Sequence, residues 1–364
     1  MKSAKKKLLE ERERAAQIVR TPVPEQLLIE EIPSIAAARI LCTSLGRGQF
    51  AEVAASYLPA THVICHFFDT YLAALADEHC GAGEGRPQIV CAADFADGPF
   101  DLVAIPVDPR GEAELTRDLL QTGHERLAPG GRLLSAISAV DDQWLHGELR
   151  KLFDKVTRIP METGVVYKAT KTAPLRKLKN FECEFAFRDQ GRLIRAVSRP
   201  GVFSHRSLDA GARALINTMT VRAGDRVLEL GCGSGVVALA AAVRAESFSV
   251  VAMDSHARAV ECTARGALLN ELTNVTTMLN ADASLPDPGT FDLVLGNPPY
   301  YSDYRIAEIF LQGARRALKP GGRVLMVTKS PAWFESRMLD LFDAVTLRPH
   351  KQYTVIEGTS GFPA

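Results

Sequence analysis

The residues best suited to chemistry lie in Phe291-Asp292-Leu293-Val294-Leu295-Gly296-Asn297-Pro298-Pro299-Tyr300. This stretch reads as a short buried strand that runs into Asn-Pro-Pro-Tyr. Two consecutive prolines cannot continue a central strand or start a helix interior, so the chain must leave the sheet there in a rigid loop. The loop would hold the Asn297 amide, the Pro298 carbonyl and the Tyr300 ring at the rim of a sheet. Those groups suit a planar ring with an exocyclic amine, because two oxygens can accept its N–H bonds while an aromatic face stacks on it. Asn297, Pro298, Pro299 and Tyr300 are therefore the candidate catalytic residues, and Tyr300 is also a candidate for substrate contact.

A second constellation lies upstream. Val227-Leu228-Glu229-Leu230-Gly231-Cys232-Gly233-Ser234-Gly235-Val236 reads as a strand, a glycine turn and an alanine-rich helix through Ala245. Glycines permit a tight turn and close approach of a ligand to the backbone. The spacing departs from the dinucleotide fingerprint, because Val236 stands where its third glycine would fall. An apolar strand, Phe248 to Met253, then ends in Asp254, an acid placed to bind ribose hydroxyls. A third short strand leads to Asn280-Ala281-Asp282-Ala283, where Asp282 could face an adenine. Glu229, Gly231, Cys232, Gly233, Asp254, Asp282, Ala283 and Asn297 are the candidate cofactor-binding residues. With the Asn-Pro-Pro-Tyr loop they predict an amino-group methyltransferase.

The elements that must position these residues occur twice. Ile40-Leu41-Cys42-Thr43-Ser44-Leu45-Gly46-Arg47-Gly48 parallels Val227 to Gly233, and Asp69 follows Gly46 at the interval that separates Asp254 from Gly231. Phe100-Asp101-Leu102-Val103 parallels Phe291 to Val294, and Leu127 to Arg132 parallels Leu318 to Arg323. Two copies of one α/β unit explain this pattern. The copies differ where chemistry would sit. Ser44 replaces Glu229, Gln49 and Phe50 replace Ser234 and Gly235, and Pro106-Val107-Asp108-Pro109 replaces Asn297 to Tyr300. The expected organisation is a charged helical arm over residues 1–30, a degenerate, non-catalytic copy over 31–170, a basic linker and hairpin over 171–200, and a catalytic domain over 201–364. The linker holds Lys171, Arg176, Lys177 and Lys179, and its hairpin adds Arg192, Arg195 and Arg199. It reads equally well as a solvated connection or as a phosphate-tracking surface.

Composition sets outer bounds. The chain has 364 residues, enough for two domains, and its 43 basic and 43 acidic residues leave no net charge. An electrostatic footprint for RNA would have to be local. No apolar run suits a membrane span, and no signal-peptide pattern opens the chain. Seven scattered cysteines without a C-x-x-C pair predict reduced thiols, no metal site and a cytoplasmic location.

Pro200-Gly201-Val202-Phe203-Ser204 and Leu208-Asp209-Ala210-Gly211-Ala212-Arg213, with Leu-Glu-Leu-Gly-Cys-Gly-Ser-Gly and Asn-Pro-Pro-Tyr, resemble the class I methyltransferases that modify guanine N2 in ribosomal RNA. The likeness is greatest to the small-subunit (16S) enzymes and their large-subunit relatives, which also carry a degenerate amino-terminal copy. It covers nearly the whole chain beyond the first thirty residues. The resemblance implies two tandem Rossmann-like domains, each a mostly parallel sheet with helices on both faces and an antiparallel last strand pair. It implies S-adenosylmethionine as donor and ribosomal RNA, naked or within the small subunit, as partner. Gly231 and Gly233 would admit the methionine part, Glu229 would lie near its ammonium, Asp254 would hold the ribose, and Asp282 and Ala283 would flank the adenine. Phe203 and Arg206 are implied on the substrate side, and Asp209 could close the site or cap a helix. Tyr300 and Tyr301 stand where the family usually has phenylalanine and histidine. Adenine-N6 and glutamine-N5 transfer therefore stay open as alternatives, as does a non-catalytic, cofactor-dependent RNA-binding factor.

Overall fold

The computed structural model describes residues 20–361, except 82, 84, 246–248, 300 and 301. Most of the expected amino-terminal arm, and Tyr300 and Tyr301, lie outside the described residues. The chain divides between Phe181 and Glu182 into two compact units.

In the amino-terminal unit, α1 (Val23–Glu30) precedes β1 (Arg39–Thr43), α2 (Gln49–Tyr57), β2 (His62–Phe67), α3 (Thr70–Cys80) and β3 (Gln88–Cys91). Then come β4 (Phe100–Val107), α4 (Ala113–Arg126), β5 (Leu127–Ile137), α5 (Trp144–Leu149), β6 (Val156–Met161) and β7 (Gly164–Thr170). The sheet order is β3-β2-β1-β4-β5-β7-β6, with β7 antiparallel to β5 and to β6 and the other pairs parallel. Its central strands are near-continuous apolar runs because helices cover both faces.

The carboxy-terminal unit opens with a hairpin, β8 (Cys183–Asp189) and β9 (Arg192–Ser198), turned by Gln190 and Gly191, both at positive φ. That is the primed two-residue turn that matches strand twist. Then follow α6 (Ala210–Thr218), β10 (Val227–Leu230), α7 (Val236–Ala245), β11 (Val250–Asp254), α8 (Ala257–Leu269), β12 (Val275–Leu279) and β13 (Phe291–Gly296). The unit ends with α9 (Arg305–Ala317), β14 (Leu318–Thr328), α10 (Pro331–Leu339), β15 (Asp343–His350) and β16 (Tyr353–Thr359). The order β12-β11-β10-β13-β14-β16-β15 repeats that of the first unit, with β16 antiparallel to both neighbours.

Some boundaries differ from the sequence reading. The second central strand starts at Val250 and includes Asp254. The last strand spans Tyr353–Thr359. Lys319-Pro320-Gly321-Gly322 lies within β14: Gly321 N donates to Ser360 O (2.9 Å) and Ser360 N to Gly322 O (2.8 Å), while on the β13 side the register shifts between Phe291 and Leu293.

The hairpin is clamped into the second unit rather than standing as a connection. Arg244 on α7 donates to both Asp189 oxygens (2.8 and 2.7 Å) and to the carbonyls of Ile216 and Met219. Asn270 exchanges hydrogen bonds with the Arg195 backbone. Two of the hairpin arginines are engaged with acids, Arg195 with Glu184 and Arg199 with Glu261. Lys168 pairs with Glu31, and Lys171 donates to the carbonyls of Glu125 and Leu127. These pairings weaken the phosphate-tracking reading of this stretch.

The first unit fills its own glycine turn. Glu25 on α1 is fully buried, and its carboxylate accepts from Ser44 Oγ (2.9 Å) and from Phe50 N (3.0 Å) at the start of α2. Burial raises the Glu25 pKa. A Cβ at Gly46 would meet Gln49 Oε1 at 2.7 Å, and one at Gly48 would touch Cys65, Ala76 and Phe67. Ser44→Glu would place a second carboxylate against Glu25 in a dry site. It should destabilise the first unit by about 2–4 kcal/mol in urea denaturation without giving it cofactor affinity.

His124 supplies a pH test of the same unit. It is buried beside Phe153, with ring centroids 4.8 Å apart. Burial, and secondly the Lys171 charge, pull its pKa down to about 4. An unfolded histidine titrates near ~6.5, so the neutral folded form contributes stability above that pH, and the contribution is lost as pH falls toward about 4. Protection factors of the amides in β4 and β5, corrected for intrinsic exchange, should fall as pH is lowered through that window, and His124→Leu should flatten the dependence.

Candidate active site of the carboxy-terminal unit

The site forms where two strand ends meet. β10 and β13 are parallel neighbours with Leu230 opposite Gly296. The glycine turn therefore leaves the sheet beside Asn297. Gly231, Gly233 and Gly235 all have positive φ (74°, 54° and 79°), which only glycine adopts without strain. Gly235 is also fixed by contact, since a Cβ there would lie 2.7 Å from Thr263 Oγ1. Gly233 is different: the nearest atom to a Cβ built on it is the Phe203 carbonyl oxygen, 3.9 Å away. A ligand can approach the backbone here, in contrast to the covered Gly48 of the first unit.

Three acids hold this edge. Glu229 is 3% exposed, and its Oε2 accepts from Ala238 N (2.8 Å) in the first turn of α7. Burial pushes its pKa well above the usual carboxylate range; the Ala238 bond opposes this and the Asp254 charge adds to it. Within the chain, its Oε2 is engaged by the helix start. Asp254 is half-buried; one oxygen accepts from Gly233 N (2.8 Å) and the other from His256 N (2.9 Å). It thus ties the turn to the end of β11. Asp209 caps α6 by accepting from Ala212 N (2.9 Å) and also accepts from Asn297 Nδ2 (3.0 Å). The cap and the site contact coexist.

Asp282 is exposed and shapes its own loop. It accepts from Ser284 N (3.0 Å), and hydrogen bonds with Ser284 hold its pKa down. Ala283, at φ 54°, is buried against α9, where a Cβ at Gly313 would collide with its side chain at 2.4 Å. Arg316 donates to the carbonyls of Asp282 and Ala283 (3.1 and 3.4 Å). Cys232 is buried and its pKa is raised well above normal, chiefly by burial. It contributes backbone rather than a reactive thiol.

The segment from Gly201 to Ser207 passes over the turn. Phe203 is 60% exposed there although it is a large apolar ring. Ser204 and Arg206 take positive φ (56° and 77°), and Arg206 is exposed. Arg258 on α8, buried, anchors the segment by donating to Pro200 O (2.9 Å). His205 Nδ1 lies 2.8 Å from the buried Ser198 Oγ, so this histidine is a structural strut. Beyond the prolines, Ser302, Asp303 and Tyr304 all have positive φ, and Tyr304 stacks on Trp333 (4.3 Å, 9°), a packing role at the rim.

Phe310 is the residue that sequence reading missed. A Cβ at Gly231 would lie 2.7 Å from its ring, and one at Gly296 would lie 3.1 Å from it and 2.6 Å from Met326 Sδ. Its ring therefore bridges the ends of β10 and β13. The available signal is the strongly two-faced pattern of α9, which puts one aromatic on the face toward the sheet.

Among the described residues, no group of three or more His, Cys, Asp or Glu is arranged to hold a metal, and no helix is long and apolar enough to cross a membrane. Residues 194–357 match the family model of the methyltransferase small domain. A ribosomal RNA small subunit methyltransferase C of Pseudoalteromonas translucida is 32% identical over 139 residues, which is 37% of this chain and 40% of that relative. A ribosomal RNA large subunit methyltransferase G of Pseudomonas syringae is 28% identical over 313 residues, 81% of each chain. A solved T. thermophilus 16S rRNA N2 methyltransferase, in complex with AdoMet and guanosine, has a TM-score of 0.77 at 23% identity, over 94% of this chain and 92% of that one. At that identity the likeness speaks to the fold. Residues 194–357 thus match the methyltransferase small domain, and over 81% of its length the chain is similar to a ribosomal RNA methyltransferase.

Proposed function

We propose that the carboxy-terminal unit methylates the exocyclic N2 amine of a guanine in ribosomal RNA of the small subunit, using S-adenosylmethionine, in the cytoplasm. The observation that carries this reading is the Asn297 amide standing beside an open glycine turn at one sheet edge. The names of the relatives support the RNA substrate, and the solved neighbour's guanosine supports the base. The residues present fit the donor. Gly233 leaves room for a ligand against the backbone, Asp254 offers a carboxylate edge for ribose hydroxyls, and the loop at Asp282 and Ala283 can flank an adenine.

When bound, the donor supplies a sulfonium-activated methyl group, so the protein need not generate an electrophile. The difficulty lies in the acceptor, an aryl amine whose lone pair is delocalised into its ring. The Asn297 oxygen and the Pro298 carbonyl would each accept an N–H bond and turn the nitrogen toward tetrahedral geometry. The nitrogen–carbon bond forms as the sulfur–carbon bond breaks, and the amine proton leaves afterwards to solvent. Positioning and dipoles aimed at the growing positive charge provide the catalysis. Phe203, and Tyr300 outside the described residues, are the aromatic candidates to stack on a base drawn out of its helix or loop, with Arg206 near its phosphates. The amino-terminal unit is read as non-catalytic, because its turn is occupied by its own side chains and β4 continues through Pro106 and Val107 where Asn297 and Pro298 would stand.

Asn297→Ala should abolish methyl transfer while calorimetric cofactor affinity stays within about threefold of wild type, a change under about 0.7 kcal/mol. Loss of both together would sink the assigned role. Asp254→Ala should weaken cofactor binding about 10- to 100-fold, in line with loss of hydrogen bonds to a charged group. Nucleoside analysis of ribosomal RNA from cells lacking the protein should show one N2-methylguanosine missing. A missing N6-methyladenosine, or no change, would overturn the choice of base.

A further inference from the structure

We infer that Asp209 is a positioning residue that fixes which end of the Asn297 amide faces the acceptor, an inference resting on the amine-binding role proposed for Asn297. The two ends of a primary amide have nearly the same shape and opposite hydrogen-bond character. Only the oxygen can accept an N–H bond from an amine. With the NH2 group turned outward, Asn297 would set donor against donor. Its orientation is therefore a condition of the reaction, and neighbouring groups must set it.

Asp209 meets that condition. Asn297 Nδ2 lies 3.0 Å from Asp209 Oδ2, across 88 residues of sequence. An ionised carboxylate has no hydrogen to donate, so the amide end beside it must be the NH2. The same Oδ2 accepts from Ala212 N (2.9 Å) in the first turn of α6, where the helix dipole favours a negative charge. The orienting group is thus itself held, while Asn297 is held by β13 before it and two prolines after it.

Gly211 gives an independent sign that this pair shaped the sequence. It sits in the first turn of α6 and has no positive φ, so the backbone does not require glycine there. Alanine would favour the helix by about 1 kcal/mol. Yet a Cβ at Gly211 would lie 2.9 Å from Asp209 Oδ2, 3.1 Å from Asn297 Oδ1 and 3.1 Å from Tyr353 Cε1. The missing side chain leaves room for the carboxylate–amide contact.

The substitutions separate orientation from capping. Asp209→Ser keeps an oxygen that caps α6 but is too short to hold Asn297. Asp209→Asn can place its amide oxygen where Oδ2 stood and serve both partners. With ribosomal RNA and small subunits from cells lacking the protein as acceptors, Asp209→Ser should lower kcat about 10- to 100-fold, a loss of the size that misplacement produces. Its cofactor affinity and melting temperature should stay near wild type. Asp209→Asn should recover most of that rate. Gly211→Ala should lower kcat with no loss of melting temperature, by pressing on the same pair. Wild-type turnover in Asp209→Ser, or equal loss in the Ser and Asn variants, would overturn the inference. If Asn297→Ala itself still transferred methyl groups, the underlying function reading would fail instead, so the two failures are distinguishable.

Discussion

One parallel register governs what this protein can do: Leu230 opposite Gly296. In the second sheet the strand order reverses between β10 and β13. Right-handed crossovers then send the following helices to opposite faces. Buried α7 residues share a cluster with Val227, whereas Leu228 and Leu230 pack with α9 residues such as Ala307 and Leu311. The backbone parts at that point, and a crevice opens outside the strand ends. Both the glycine turn and the Asn297 loop must open into it, because each begins one residue past the last paired position. A slip of one residue would turn Glu229 away from α7 and bury the Asn297 side in the wrong layer.

The first unit has the same strand order, with β1 beside β4, yet its turn is covered by its own side chains: a Cβ at Gly46 would meet Gln49, and one at Gly48 would touch Cys65, Ala76 and Phe67. Topology is therefore necessary and insufficient. The difference lies in which side chains occupy the crevice. In the second unit the carboxylate at the helix start comes from the strand itself, through Glu229. In the first it comes from α1, through Glu25, with Ser44 as intermediary. Once α1 supplies that carboxylate, the strand position no longer needs an acid, and Gln49 lies over the turn. On the non-catalytic reading of this unit, retention of the fold without the site follows from one exchange of partners.

Sequence reading reached the features set by local backbone rules. A glycine turn after a strand, a double proline at a strand end and a repeated unit are visible because each constrains its own neighbourhood. The features it missed are contacts between distant residues. Glu25 meets Ser44 and Phe50 only after the sheet forms, Arg244 reaches Asp189 from another element, and Phe310 meets Gly231 and Gly296 from a helix not yet placed. Glu229 shows the boundary most clearly. An acid two residues before a glycine could face a ligand or a helix start, and the choice rests on which face of a doubly covered sheet it occupies. The hairpin was legible as a hairpin, but its attachment to the second unit was not, since that attachment is made by Arg244 and Asn270.

The acids at this edge share a task that explains why the reacting group is neutral. Glu229 is bonded to Ala238 N, Asp254 to Gly233 N and His256 N, and Asp209 to Ala212 N. Each carboxyl group is held by a backbone amide at a turn or a helix start, where its geometry is most fixed. These acids build the frame. On the proposed reading, the group facing the amine is an amide oxygen supported by that frame. An aryl amine that attacks a sulfonium carbon becomes cationic before it loses its proton, so it needs oriented dipoles during attack and no base beforehand. A carboxylate at position 297 would stand against Asp209, and one of the two would have to hold a proton. An amide avoids that conflict and stays an acceptor across the whole pH range in which the protein folds.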